Sequence, residues 1–134
     1  MSNMLDDGKK LTIQVRNITP AGIELADGLV LPSACIFLGG EVFLWNVPDT
    51  LWTGWTKEHF QIFDVTIPKP EILILGTGKS VVLPPPSIRT HLSSIGIGLE
   101  ILDTWNACST YNLLSEEGRR VAAALLPPRP AAKA

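Results

Sequence analysis

Two apolar runs of strand length, EILIL (Glu71–Leu75) and GLEIL (Gly98–Leu102), bracket a single helix's worth of chain, and this spacing constrains the fold more than any other feature. EILIL is almost purely aliphatic, as expected of a strand covered on both faces. Between the runs lie GTGK (Gly76–Lys79), Pro84 to Pro86, and the helical segment SIRTHLSSI. Gly96 stops that helix, because only glycine takes the left-handed C′ conformation cheaply. Strand, helix, strand at this distance is a βαβ unit with parallel strands.

The first half reads differently. LTIQVRNI alternates Leu11, Ile13 and Val15 against Thr12, Gln14 and Arg16, the period of a half-buried strand. GIEL, LVL, ACIFL and EVFLWNV follow, broken by Ala26-Asp27-Gly28, Pro32-Ser33 and Gly39-Gly40. Asp27-Gly28 between apolar runs is a hairpin signal. The reading is an antiparallel meander of four or five strands. Thr56 then opens a helix to about Val65, with Phe60 and Phe63 inward and Pro68 and Pro70 closing it. At the other end, Ala107, Tyr111, Leu114, Gly118, Val121 and Leu125 recur at alternating steps of four and three, the spacing of one long helix. Gly118 in its middle marks a kink or a close approach, and Glu116 and Arg120 would form an i,i+4 pair. The expected fold is α/β with α+β character at the start, one domain over residues 11–126. Residues 1–10 and the proline-rich 127–134 are expected to be mobile ends.

Composition closes off several functions. At 46% hydrophobic and 18% charged, with a formal net charge of −2, the chain is too apolar to be disordered. It also lacks the basic runs that nucleic acid demands. Its longest apolar run, Val121–Leu126, falls far short of the roughly 20 residues that span a bilayer. The opening MSNMLDDGKK has no hydrophobic segment of a secretory signal and no arginine of a transit peptide, so the expected location is cytoplasmic, or organellar with unusual targeting. Cys35 and Cys108 form no disulfide framework and match no metal spacing; no metal or cofactor is expected.

GTGK fails the Walker A test, since Leu73 stands where a glycine is needed, and fails the dinucleotide fingerprint at Val81. Gly76, Thr77, Gly78 and Lys79 could still offer backbone N–H groups and a cation to a small anion. DTWN, with Asp103, Thr104 and Asn106, ends the neighbouring strand at the same sheet edge, where open α/β sheets bind ligands; Asp103 or Thr104 is equally the N-cap of the next helix. A Cys108 nucleophile served by His91 is the enzymatic alternative. Trp45, Trp52 and Trp55 crowd one short stretch. Trp45 belongs to a strand, whereas Trp52 and Trp55 sit among turn residues, where they either anchor a partner or fold back onto the sheet.

PEILILGTGK, then GIGLEILDT and NACSTYNLLSEEGRRVAAALLPP, resembles the mitochondrial complex I assembly factor 3 family and its bacterial relatives, a domain of unassigned function. LPSACIFLGGEVFLWNV and TKEHFQIF match the family's order of elements, so the resemblance covers about residues 11–128. Its most specific part is Asp103-Thr104-x-Asn106-Ala107-Cys108-x-Thr110, with Tyr111, Asn112, Glu117, Gly118 and Arg119 after it. The resemblance implies a central mixed sheet with helices on one side and a smaller strand-and-helix layer on the other. It implies no catalytic activity. The implied role is chaperone-like: building the peripheral arm of respiratory complex I, alongside complex I assembly factor 4, at the matrix face of the inner membrane.

Overall fold

The computed structural model describes residues 15–19 and 22–128. The expected mobile residues 1–10, the first strand's Leu11 to Gln14, and the tail from Arg129 onward lie outside the described residues. Five strands come first: β1 (Val15–Thr19), β2 (Gly22–Leu25), β3 (Val30–Leu31), β4 (Cys35–Leu38) and β5 (Glu41–Leu44). A 3-10 turn (Lys57–Phe60) and the one-turn α1 (Ile62–Val65) lead to β6 (Ile72–Gly76), α2 (Pro86–Ser94), β7 (Gly98–Leu102), α3 (Thr104–Glu116) and β8 (Val121–Leu125).

The expected single meander divides in two. β1, β2 and β3 form an antiparallel sheet of their own, while β4 and β5 join a five-stranded mixed sheet in the order β5-β4-β8-β6-β7. The hairpin turn expected at Asp27-Gly28 forms, and the Gly39-Gly40 break proves to be a second one. Gly28 adopts φ +96° after Asp27, whose carboxylate accepts from the Leu29 N–H. Gly39 and Gly40, at φ +63° and +83°, make the doubly left-handed turn that suits a two-residue hairpin between β4 and β5. In β1 the alternation slips. A bulge between Val15 and Asn17 places Val15 and Ile18 inward, where strict period two would have turned Asn17 in.

The βαβ reading holds: β6 and β7 pair in parallel from Ile72↔Gly98 to Gly76↔Leu102, with α2 between them and Gly96 at φ +85° after it. The segment from Thr56 is a 3-10 turn followed by a single α turn rather than one helix. Thr56 caps it with a capping box, and the three-residue step from Phe60 to Phe63 suits the tighter winding. Both rings are buried, as expected.

The long final helix is the principal correction. α3 stops at Glu116, Gly118 takes φ +80°, and Arg119 N donates back to the Leu114 carbonyl, a left-handed C-terminal cap. Residues Val121–Leu125 are a strand in the middle of the large sheet, antiparallel to β4 and parallel to β6. A run of nothing but apolar residues, VAAAL, matches a helical and a strand period alike. The expected Glu116–Arg120 helix pair is accordingly replaced. Arg119 and Arg120 both reach Glu71, at 3.3 and 3.9 Å, beside the start of β6.

One face of the large sheet, through Cys35, Phe37, Ile74, Ala123 and Leu125, packs against the small sheet and α3. The other face, through Ile36, Leu73, Leu75, Ala122 and Ala124, packs against Phe60, Phe63, α2 and the tryptophans. Alanine at three successive positions of β8 leaves room for these partners on both sides.

Candidate functional site: the carboxyl edge of the sheet

GTGK and DTWN meet as the sequence expected, and each consumes the other's polar groups. The Gly78 N–H donates to Thr104 Oγ1 at 2.8 Å, and the Thr104 N–H donates to the Gly78 carbonyl at 2.9 Å. Thr104 Oγ1 in turn donates to the Leu126 carbonyl, and Thr77 N–H donates to the Leu102 carbonyl. Thr77 Oγ1 donates to the Ser80 carbonyl at 2.6 Å and accepts from the Val82 N–H. Thr104 and Thr77 are buried by this closed network. Gly76 is closely enclosed: a Cβ there would lie 3.0 Å from the Ala107 Cβ and 3.1 Å from the Thr104 Cα, so α3 would have to give way slightly to admit one.

Asp103 serves as the N-cap of α3. Its carboxylate accepts from the Asn106 backbone N–H and, at 2.6 Å, from the Asn106 side-chain amide. The side-chain bond is the main reason its pKa lies below the usual aspartate value. Of the residues singled out at this edge, Lys79 alone projects as an exposed cation. Gly76, Thr77, Gly78, Asp103, Thr104 and Asn106 are joined to one another or to the core.

Cys108 and His91 do not form a dyad. Cys108 sits with Cys35 on the small-sheet face, whereas α2, which carries His91, packs on the opposite face. Burial pushes both thiols up to about 12, and His91 is bonded instead to Asp64 at 2.7 Å. Among the described residues no cluster of His, Cys, Asp and Glu could hold a metal ion.

The tryptophans separate. Trp55, expected as a partner-contact residue, is 8% exposed and belongs to the core: its ring packs edge-on against Trp45, and its indole N–H donates to the Thr50 carbonyl. The turn-rich segment folds back onto the sheet and takes it inside. Trp52 is half-buried, stacks edge-on against Trp55 with ring centres 4.6 Å apart, and donates to the Val82 carbonyl. Exposed apolar side chains border the closed network in places that residue-type reasoning passed over. Val81 (51%), Leu83 (58%) and Trp105 (53%) all face solvent. Their signal was VVLPPP, an apolar run before prolines with no partner strand to bury it, and an aromatic in the first turn of α3.

A cleft of about 420 Å³ lies at the opposite end of the sheet, lined by Ile67, Pro68, Tyr111, Arg119, Arg120 and Val121 among others. Its two arginines are the pair already drawn to Glu71.

The family model described as a protein of unknown function (DUF498/DUF598) matches residues 15–126. The chain belongs to the DUF498/DUF598 family. Similar proteins include the NADH dehydrogenase [ubiquinone] 1 alpha subcomplex assembly factor 3 of Mus musculus, 38% identical over 94 residues, 70% of this chain and 50% of that protein. The Danio rerio protein of the same name is 33% identical over 114 residues, covering 85% and 64%. The chain thus spans between half and two thirds of these relatives. A crystal structure of a Bordetella parapertussis protein superimposes with a TM-score of 0.74 at 33% identity, covering 86% of this chain and 95% of that one. A Mth938-like domain from Bordetella pertussis gives 0.72 at 26% identity, covering 99% and 96%. In this DUF498/DUF598 chain the stretch Asp103 to Arg119 supplies caps, packing and hydrogen bonds. Asn112 alone makes two, accepting from the Val15 N–H and donating to the Val15 carbonyl, which pins the small sheet to α3.

Proposed function

We propose that this protein is a non-enzymatic assembly factor that helps build the peripheral arm of respiratory complex I by docking other polypeptides. The observation that carries this reading is the contrast at the carboxyl edge of the sheet. Its backbone donors at Thr77, Gly78 and Asn106 are spent on internal acceptors, while the bordering Val81, Leu83 and Trp105 side chains stay open to solvent. A surface with satisfied polar groups and exposed large apolar side chains suits a protein partner better than a small anion. The names of the similar proteins point to the same process. Complex I assembly factor 4 and the peripheral-arm subunits are the proposed partners, and the matrix face of the inner membrane is the proposed location in a mitochondrial setting. No helix among the described residues is long and apolar enough to cross a membrane, which fits peripheral attachment.

Replacing Val81, Leu83 and Trp105 together by serine tests the reading. Retention of complex I subunits on the immobilised protein should drop about tenfold or more while the melting temperature holds, and loss of the gene should lower assembled complex I without lowering subunit synthesis. Undiminished retention, or normal complex I in the deletion strain, refutes it. A metabolite that raises the melting temperature of the wild type and not of Lys79→Ala would instead favour an anion site at Gly76–Lys79 and Asp103–Thr104.

A further inference from the structure

β5 is an edge strand with an unusual surface. Leu44 is 72% exposed and Phe43 38%, and the only charge on the strand is Glu41 at its first position. Edge strands normally carry charges, prolines or bulges that discourage pairing with another chain. The direction of its free hydrogen-bonding groups follows from one bond. Trp45 N–H donates to the Ala34 carbonyl, so in the antiparallel β4–β5 ladder Trp45, Phe43 and Glu41 turn their backbone groups toward β4. Val42 and Leu44 therefore aim theirs outward, and among the described residues nothing meets them.

We propose that β5 is the seam of a homodimer, pairing antiparallel with β5 of a second copy about a two-fold axis at Phe43. That register is self-complementary, as a two-fold interface requires. The outward groups of Val42 meet those of Leu44 in the second copy, and Leu44 meets Val42, closing the ladder with four backbone hydrogen bonds. Two aliphatic pairs then lie on the face shared with Cys35 and Phe37. Phe43 meets Phe43 of the second copy on the face shared with Ile36, a cross-strand aromatic pair at the closer, non-hydrogen-bonded spacing. Each Glu41 falls opposite Trp45, and the two carboxylates sit at opposite ends of the seam. The sheet's other edge gives the contrast. β7 carries the exposed Glu100 at its centre, so the same symmetric pairing there would oppose two like charges. The second copy rather than an unrelated strand is the occupant because residue parity, side-chain size and charge all satisfy the symmetric arrangement at once. The result is a sheet continuous across both copies.

Sedimentation velocity on the full chain over a wide concentration range reads this directly. The wild-type mass should climb from 14.5 kDa toward twice that value. Leu44→Pro removes one outward N–H without touching a β4–β5 bond, and Phe43→Lys places like charges at the axis; both should remain monomeric with unchanged circular dichroism. Phe43→Cys brings two thiols about 4.5 Å apart between Cα atoms, within disulfide reach, and should give a covalent dimer on oxidation where Glu41→Cys does not. The native Cys35 and Cys108 are buried and do not compete. A wild type that stays monomeric at every concentration, a mass increase that survives both Leu44→Pro and Phe43→Lys, or equal cross-linking at positions 41 and 43 overturns the proposal.

Discussion

Thr104 shows how a single side chain can close a sheet edge. Its hydroxyl accepts from Gly78 and donates to Leu126, so it joins the loop after β6, the start of α3 and the residue after β8. Valine has nearly the same shape and neither hydrogen bond. Thr104→Val should leave the buried Gly78 N–H and the half-buried Leu126 carbonyl without this partner and cost about 1–3 kcal/mol, read as a lower midpoint in urea at unchanged slope. A loss well below that range would mean that water replaces the hydroxyl. The sequence identified Asp103 and Thr104 as alternatives for the N-cap, and in the structure the two side chains part company. Asp103 caps the helix while Thr104 faces inward. Residue type alone could not separate those two roles, because either side chain satisfies an N-cap.

At the scale of elements, legibility followed how tightly each segment's pattern excluded alternatives. EILIL and GLEIL, bounded by glycine and proline, admitted only parallel strands around a helix. Asp27-Gly28 and Gly39-Gly40 set the hairpins through backbone conformation. β8 was hidden because VAAAL carries no period, and the steps of four and three leading into it continued by coincidence. Gly118 was the one clue, a C-terminal cap as readily as an interior glycine, with φ +80° deciding it. Trp55 was ambiguous for a different reason: its burial depends on the segment folding back onto strands remote in sequence. Gly118→Ala forces a left-handed conformation on a residue with a Cβ, and should lower stability by about 1 kcal/mol. Faster amide exchange over the last turn of α3 than over β6 would locate the effect there. A neutral substitution would show that the loop to β8 can rearrange.

For the molecule as a whole, the two cysteines tie stability to alkaline pH. In the folded state burial raises both thiols from 9.0 to about 12, and on unfolding they return to the ordinary value. Between pH 9 and about 12 the unfolded chain therefore binds fewer protons, so stability present below pH 9 is lost as pH rises. Two thiols give a slope of up to about 2.7 kcal/mol per pH unit in that interval, added to the contribution of Tyr111, whose phenol is also raised by burial. Denaturant titrations across this range should show the decline, and Cys35→Ala with Cys108→Ala should flatten it even where the level of stability changes. An equal slope in the double variant would place the proton release elsewhere. At neutral pH both thiols should resist alkylation until the chain unfolds.

β8 lies between β4 and β6, although everything it joins precedes it in the chain. During synthesis the β4–β5 hairpin and the β6–β7 pair leave the ribosome with a one-strand gap between them, and no earlier segment can fill it. The nascent polypeptide must wait, half-assembled and with both flanking edges bare, until residues 121–125 arrive to lock the two portions together.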